Sequence, residues 1–153
     1  MGRLLRQAGA IPYRIVDGTV EILLLTSRDT RRWVIPKGYV DPGMTTRQAA
    51  CQEAWEEAGV SGEITTRYPL GFVPYFKTLR TGRIRAASIE VFPLLVERQK
   101  TRWREKKQRV RVWFPVRDAA ARVAEPALAT LMLRLEEIVL GPREELQMAS
   151  PFP

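Results

Sequence analysis

Ala10 to Val16 and Val20 to Thr26 are mostly apolar stretches interrupted by Arg14 and Glu21, and the Val16-Asp17-Gly18-Thr19 step between them carries an Asp-Gly turn signal. The pattern predicts a tight hairpin at the start of a sheet. Trp33-Val34-Ile35 is a further extended piece stopped by Pro36, and Lys37 to Thr46 reads as a loop rich in Gly, Pro and Asp. Period 3.6 then takes over. Thr45 or Thr46 can cap a helix running through Arg47 to Ala58, and Gly59 stands where a left-handed terminator belongs. Glu63 to Phe76 and Arg83 to Val96 read as two longer strands around a turn near Arg80-Thr81-Gly82, followed by a strand over Arg109 to Val116. Asp118 to Val123 and Pro126 to Leu140 read as helices. In the second, Leu128, Leu131, Met132, Leu135, Ile138 and Val139 recur at helical spacing and form a core stripe.

The order is strands, helix, strands, helices, in a chain of 153 residues, which suits one domain. That domain is expected over residues 1–141, with 142–153 as a flexible C-terminal tail after Gly141-Pro142. Apolar residues make up 45% and charged residues 27%, enough for a packed core. No apolar run approaches the roughly 20 residues that span a bilayer, and no secretory signal follows Met1 to Arg6. A cytoplasmic location without a membrane partner is the expectation. The chain has one cysteine, Cys51, and no histidine, which excludes an internal disulfide, a zinc-thiolate site and every His-based catalytic triad. Cys51, on the apolar side of its helix, reads as an inert core thiol. The net charge of +8 points to an anionic partner.

Against that basic background the first helix carries Glu53, Glu56 and Glu57. On a wheel of about 100° per residue, Glu57 lies about 40° to one side of Glu53 and Glu56 about 60° to the other. The three acids share one arc. Ala54, Ala58, Cys51 and Trp55 occupy the opposite side, which is expected to pack on the sheet while the acids face outward. Such crowding repels at helical spacing, and a hard divalent cation would reverse the repulsion. Carboxylates without His or Cys select Mg²⁺, Mn²⁺ or Ca²⁺, and Mg²⁺ prefers to share substrate phosphates. The charges therefore suggest metal-assisted attack on a phosphoanhydride.

Gly38-Tyr39-Val40-Asp41-Pro42-Gly43-Met44, followed by Gln52-Glu53-Ala54-Trp55-Glu56-Glu57-Ala58-Gly59-Val60, resembles the Nudix box, G-x5-E-x7-R-E-U-x-E-E-x-G-U with U a bulky apolar residue. Gly38, Glu53, Glu56, Glu57, Gly59 and Val60 match, and Ala54 fits loosely. Met44 stands at the box's first Glu and Gln52 at its Arg. Leu24-Leu25-Thr26-Ser27-Arg28, Trp33 to Gly38, Gly71-Phe72, Arg109 to Phe114 and Asp118-Ala119-Ala120 are most similar to the diphosphoinositol polyphosphate phosphohydrolase branch, whose members also cleave diadenosine polyphosphates. The resemblance implies an α/β fold with a mixed sheet sandwiched between helices. It also implies a hydrolase in which Glu53, Glu57 and the main-chain carbonyl of Lys37 hold Mg²⁺ or Mn²⁺. Glu56 or Glu57 would then be the catalytic base.

For the implied polyphosphate, a small-molecule substrate, the phosphate-binding candidates are Ser27, Arg28, Lys77, Arg109 and Arg111. Arg109 and Arg111 share one face of their strand and belong to a run from Arg98 to Arg111 with eight Lys or Arg and one Glu. Trp103, Tyr75 and Phe76 could stack a base, though such rings more often pack internally. Two alternatives remain open. One is a Nudix domain that binds nucleotide or RNA without cleaving it, motivated by Met44, Gln52 and the basic run; the other is a nucleoside triphosphate or RNA cap pyrophosphohydrolase.

Overall fold

The computed structural model describes residues 4–141; the expected tail over 142–153 lies outside them. Strands β1 (Leu5–Val16) and β2 (Thr19–Thr26) form the predicted hairpin, with Asp17 at φ 49° and Gly18 at φ 79°. Two successive left-handed residues are what an Asp-Gly turn of the twist-matching type requires. β1 and β2 pair only from Tyr13 and Ile22 to the turn and then part. The fork between them is filled by β3 (Trp33–Val34), which pairs with β2, and β4 (Lys37–Tyr39), which pairs with β1. Lys37 to Tyr39 is thus strand, where the Gly and Pro content suggested loop; pairing with Gln7 to Gly9 overrides local propensity.

Helix α1 (Thr46–Glu53) continues into a π-helical turn, Ala54–Ala58, and β5 (Val60–Ile64), β6 (Gly71–Thr78) and β7 (Ile84–Gln99) follow. β7 runs parallel to β1 from Ala87 to Leu95, and β5 and β6 pair antiparallel along its other edge. The single strand expected over Glu63 to Phe76 is two strands, because β5 and β6 pair with different stretches of β7 and the segment with Pro69 between them leaves the ladder. β8 (Arg111–Pro115) closes the far edge on β2, two residues later than expected, and α2 (Val116–Arg122) and α3 (Pro126–Leu140) complete the chain.

The mixed sheet is buried on both faces. On one, Ala8, Ala10, Leu23, Leu25, Phe92 and Leu94 meet Ala50, Ala54 and Ala58, whose small side chains let the helix approach closely. On the other, Ile11, Ile22, Leu24, Val73 and Val91 meet Leu128, Leu131, Met132 and Leu135 of α3. The predicted α3 stripe is this core, with Val139 packed against it as expected and Ile138 alone exposed. Each large apolar side chain so buried is worth about 1.5–3 kcal/mol. No described helix is long and apolar enough to cross a membrane.

Candidate active site

The first helix is set at its start by the Thr45 hydroxyl, which accepts from the Gln48 N–H (3.1 Å), while the Gln48 side chain accepts from the Thr45 N–H (2.9 Å). This capping box anchors one end. At the other, Gly59 takes φ 67° and its N–H donates to Ala54 O and Trp55 O, widening the last turn. The buried side of the helix is centred on Ala50, Ala54 and Ala58, so Glu57 flanks it and is only 8% exposed, while Trp55 is 37% exposed. The expected outward ridge of three acids with Trp55 inside is therefore corrected. Burial follows the alanine line, and that line runs closer to Glu57 than to Trp55.

Glu57 meets the fork. Its Oε1 accepts from the Lys37 main-chain N–H at 3.1 Å, its Oε2 lies 3.7 Å from Arg109 Nη2, and it shares a hydrogen bond with Glu53. Gly38 faces Glu53 so closely that any Cβ there would fall inside the carboxylate. Burial pushes the Glu57 carboxyl up to about 8; Arg109 opposes the rise and Glu53 adds to it. Glu53 is likewise raised by burial, with its hydrogen bond to Glu57 opposing and the Glu56 and Glu105 charges adding. The two carboxyls titrate as a pair that retains a proton near neutrality. Burial also lowers the Lys37 ammonium against the pull of Glu57.

Glu56 is turned to the rim, where its Oε1 accepts from Arg104 (3.0 Å) and Gln52 (3.3 Å). The arc predicted from the wheel is thus divided into a meeting pair, Glu53 and Glu57, and a separate third acid. No three acidic or thiol side chains among the described residues are gathered as a ready-made metal cage. The pair nevertheless fits a hard divalent ion. Mg²⁺ is commonly held by one or two carboxylates with water and substrate phosphate supplying the other oxygens, and a cation would offset the burial and mutual repulsion that raise both carboxyls. The Lys37 peptide lies beside the pair and presents its N–H to Glu57.

The phosphate candidates separate. Arg109 is almost enclosed between Glu57, the Glu105 carboxylate (2.8 Å) and Thr26 O (3.2 Å). Arg111 donates to Ala58 O (2.7 Å) and Lys100 O and lies 3.7 Å above the Trp103 ring. Both therefore have internal partners. Ser27 shapes a turn, bonded to the Thr30 hydroxyl (2.6 Å) and accepting from the Arg32 N–H (3.0 Å). Arg28 is exposed and reaches Gln108 (3.3 Å), and Lys77 lies over Tyr39 at 4.5 Å. A small pocket opens beside Lys37, lined by Arg32, Ile35, Tyr75, Glu125 and Leu128.

Trp103 packs internally: its Nε1–H donates to Glu57 O (3.0 Å), and a Cβ on Gly59 would come within 2.7 Å of its ring. Tyr75 donates to Gln7, and Phe76 is 78% exposed. Cys51 is half-buried and burial raises its thiol, in keeping with an unreactive group. Glu105 was not singled out by sequence reasoning. Its one signal was being the sole acid in a run of eight cations.

The family profile described as NUDIX domain matches residues 5–135. Nudix hydrolase 18, mitochondrial, of Arabidopsis thaliana is 30% identical over 148 residues, covering 90% of this chain and 81% of that protein. The asymmetrical bis(5'-nucleosyl)-tetraphosphatase of Caenorhabditis elegans is 42% identical over 64 residues, covering 41% of this chain and 46% of that protein. The crystal structure of a C. elegans Ap4A hydrolase binary complex superposes with a TM-score of 0.67 at 26% identity, covering 90% of this chain and 99% of that one.

Proposed function

The chain belongs to the Nudix family and is a pyrophosphohydrolase of that family; from this we propose that it is a Mg²⁺-dependent hydrolase of a highly phosphorylated small molecule, a diadenosine polyphosphate or a diphosphoinositol polyphosphate. The observation that carries the reading is the meeting of Glu53 and Glu57 at the Lys37 N–H, beneath Gly38. A cation bound there, Mg²⁺ or Mn²⁺, supplies charge to neutralise the phosphoanhydride oxygens. Glu53 and Glu57 would hold it, and the Lys37 main-chain carbonyl would add a third oxygen. Glu56, at the rim with one carboxylate oxygen engaged by Arg104 and Gln52, takes a proton from the water that attacks phosphorus, and the P–O bond to the leaving phosphate breaks. Arg28 and Lys77 draw the outer phosphates to the mouth.

The name of the C. elegans neighbour supports diadenosine tetraphosphate as a first substrate. Incubation of the purified chain with Mg²⁺ and diadenosine tetra-, penta- or hexaphosphate, or with a diphosphoinositol polyphosphate, is expected to release phosphorylated products. Glu57→Gln and Glu56→Gln are expected to lower turnover by about 10² or more. Wild-type rates in both variants would remove the mechanism; ligand binding without product under any divalent ion would favour the non-cleaving alternative.

A further inference from the structure

The segment from Lys100 to Arg111 is fastened along the last turn of the catalytic helix. Lys100 N–H donates to Gly59 O (2.8 Å), Glu105 N–H to Glu56 O (3.2 Å), Trp103 Nε1–H to Glu57 O (3.0 Å) and Arg111 to Ala58 O (2.7 Å). Four consecutive carbonyls at a helix end, which have no partners of their own within the helix, are thereby satisfied. Trp103 also fills the space that Gly59 leaves, and Arg111 stacks on its outer face. The turn secured in this way carries both Glu56 and Glu57.

Arg109 completes the arrangement from within the same segment. Glu105 and Thr26 O fix its guanidinium, which leaves Nη2 directed at Glu57 Oε2. A guanidinium held by a carboxylate and a carbonyl has little freedom to follow a substrate, but it can hold a neighbouring carboxylate in one place. Met44 and Gln52, the two residues at which the box has lost its charges, cannot form an ion pair beside the helix. The Glu105–Arg109 pair supplies one from outside the box.

Resting on the hydrolase reading above, we propose that Arg109, held by Glu105, is the positioning residue for Glu57. The Trp103 and Arg111 contacts keep the segment in register with the catalytic turn, so that an ion pair from beyond the box orients a carboxylate within it. Arg109 is thus not a phosphate ligand.

The test uses Arg109→Gln, Arg109→Lys and Glu105→Gln in the full chain, read first without metal or substrate. In Arg109→Gln, hydrogen exchange at the Lys37 amide, which Glu57 accepts, is expected to quicken about tenfold while Leu131 and Met132 on the opposite face keep their protection. Arg109→Lys should quicken it less, and Glu105→Gln, which retains an acceptor, serves if Arg109→Gln fails to fold. With Mg²⁺ and diadenosine tetraphosphate, kcat in Arg109→Gln should fall about a hundredfold with KM within about threefold. Unchanged exchange at Lys37 in all three variants overturns the proposal, as does a KM raised about tenfold at unchanged kcat, the signature of a lost phosphate ligand. A wild-type chain that cleaves no polyphosphate refutes the proposed activity instead, and the exchange result still decides the role of Arg109.

Discussion

Gly38 and Glu57 show how far single atoms decide this site. Gly38 is needed for close approach: a Cβ would occupy the space of the Glu53 carboxylate. Gly38→Ala is expected to cost about tenfold or more in turnover, whereas Gly18→Ala, whose Cβ would meet nothing, should act only through its turn. Equal rates in wild type and Gly38→Ala would contradict the packing. For Glu57 the consequence is a pH dependence. Its folded-state carboxyl is raised from an ordinary 4.5 to about 8, so the folded metal-free chain keeps a proton that the unfolded chain gives up. The stability this confers is fully present below about 4.5 and is lost as pH rises through about 8. Thermal melts of the metal-free protein should therefore show this contribution disappearing across that window, and Mg²⁺ should raise Tm more at pH 8 than at pH 5. Glu57→Gln should flatten the dependence; an identical pH profile in that variant would contradict it.

The elements differ in how local their causes are. The first hairpin was legible because Asp17-Gly18 suits two left-handed residues in succession, and the first helix because Thr45 or Thr46 could cap it and Gly59 could end its last turn; the Gln48 half of the capping box was not read from the sequence. Thr45→Ala should cost about 1 kcal/mol, lowering Tm by several degrees, and an unchanged melt would show the capping box to be dispensable. β4 was not legible, since its three residues are strand only because β1 and β2 separate and leave Gln7 to Gly9 unpaired beside them. The break between β5 and β6 and the burial of Glu57 likewise depend on distant partners, β7 for the first and the fork with Arg109 for the second. Sequence spacing placed the carboxylates on the correct helix. It could not show that Glu56 faces Arg104 while Glu57 turns to Lys37.

In the molecule as a whole, a mixed sheet between helices brings a fork of strands, a carboxylate helix and the 100–111 segment to one place, and the family match over residues 5–135 spans all three. The basic run was read from the sequence as a surface for phosphate. The fold uses part of it inwardly, because a buried carboxylate needs a counter-charge and breaking such a pair typically costs about 3–5 kcal/mol. Arg109 meets Glu57 and Arg111 the Ala58 carbonyl, while Arg28 reaches Gln108 and Lys77 lies over Tyr39. The strand expected from Arg109 begins only at Arg111, so strand alternation does not pair the two arginines; each meets the protein itself, Arg109 at Glu57 and Glu105 and Arg111 at the Ala58 carbonyl.

The proposed hydrolysis requires a divalent ion held by Glu53 and Glu57. Anomalous diffraction from crystals soaked in Mn²⁺ with a non-hydrolysable diadenosine polyphosphate measures this directly. A manganese peak coordinated by both carboxylates, absent in Glu57→Gln, is the predicted result. Well-ordered ligand with no manganese between those two side chains, or with the ion held elsewhere on the chain, would contradict it.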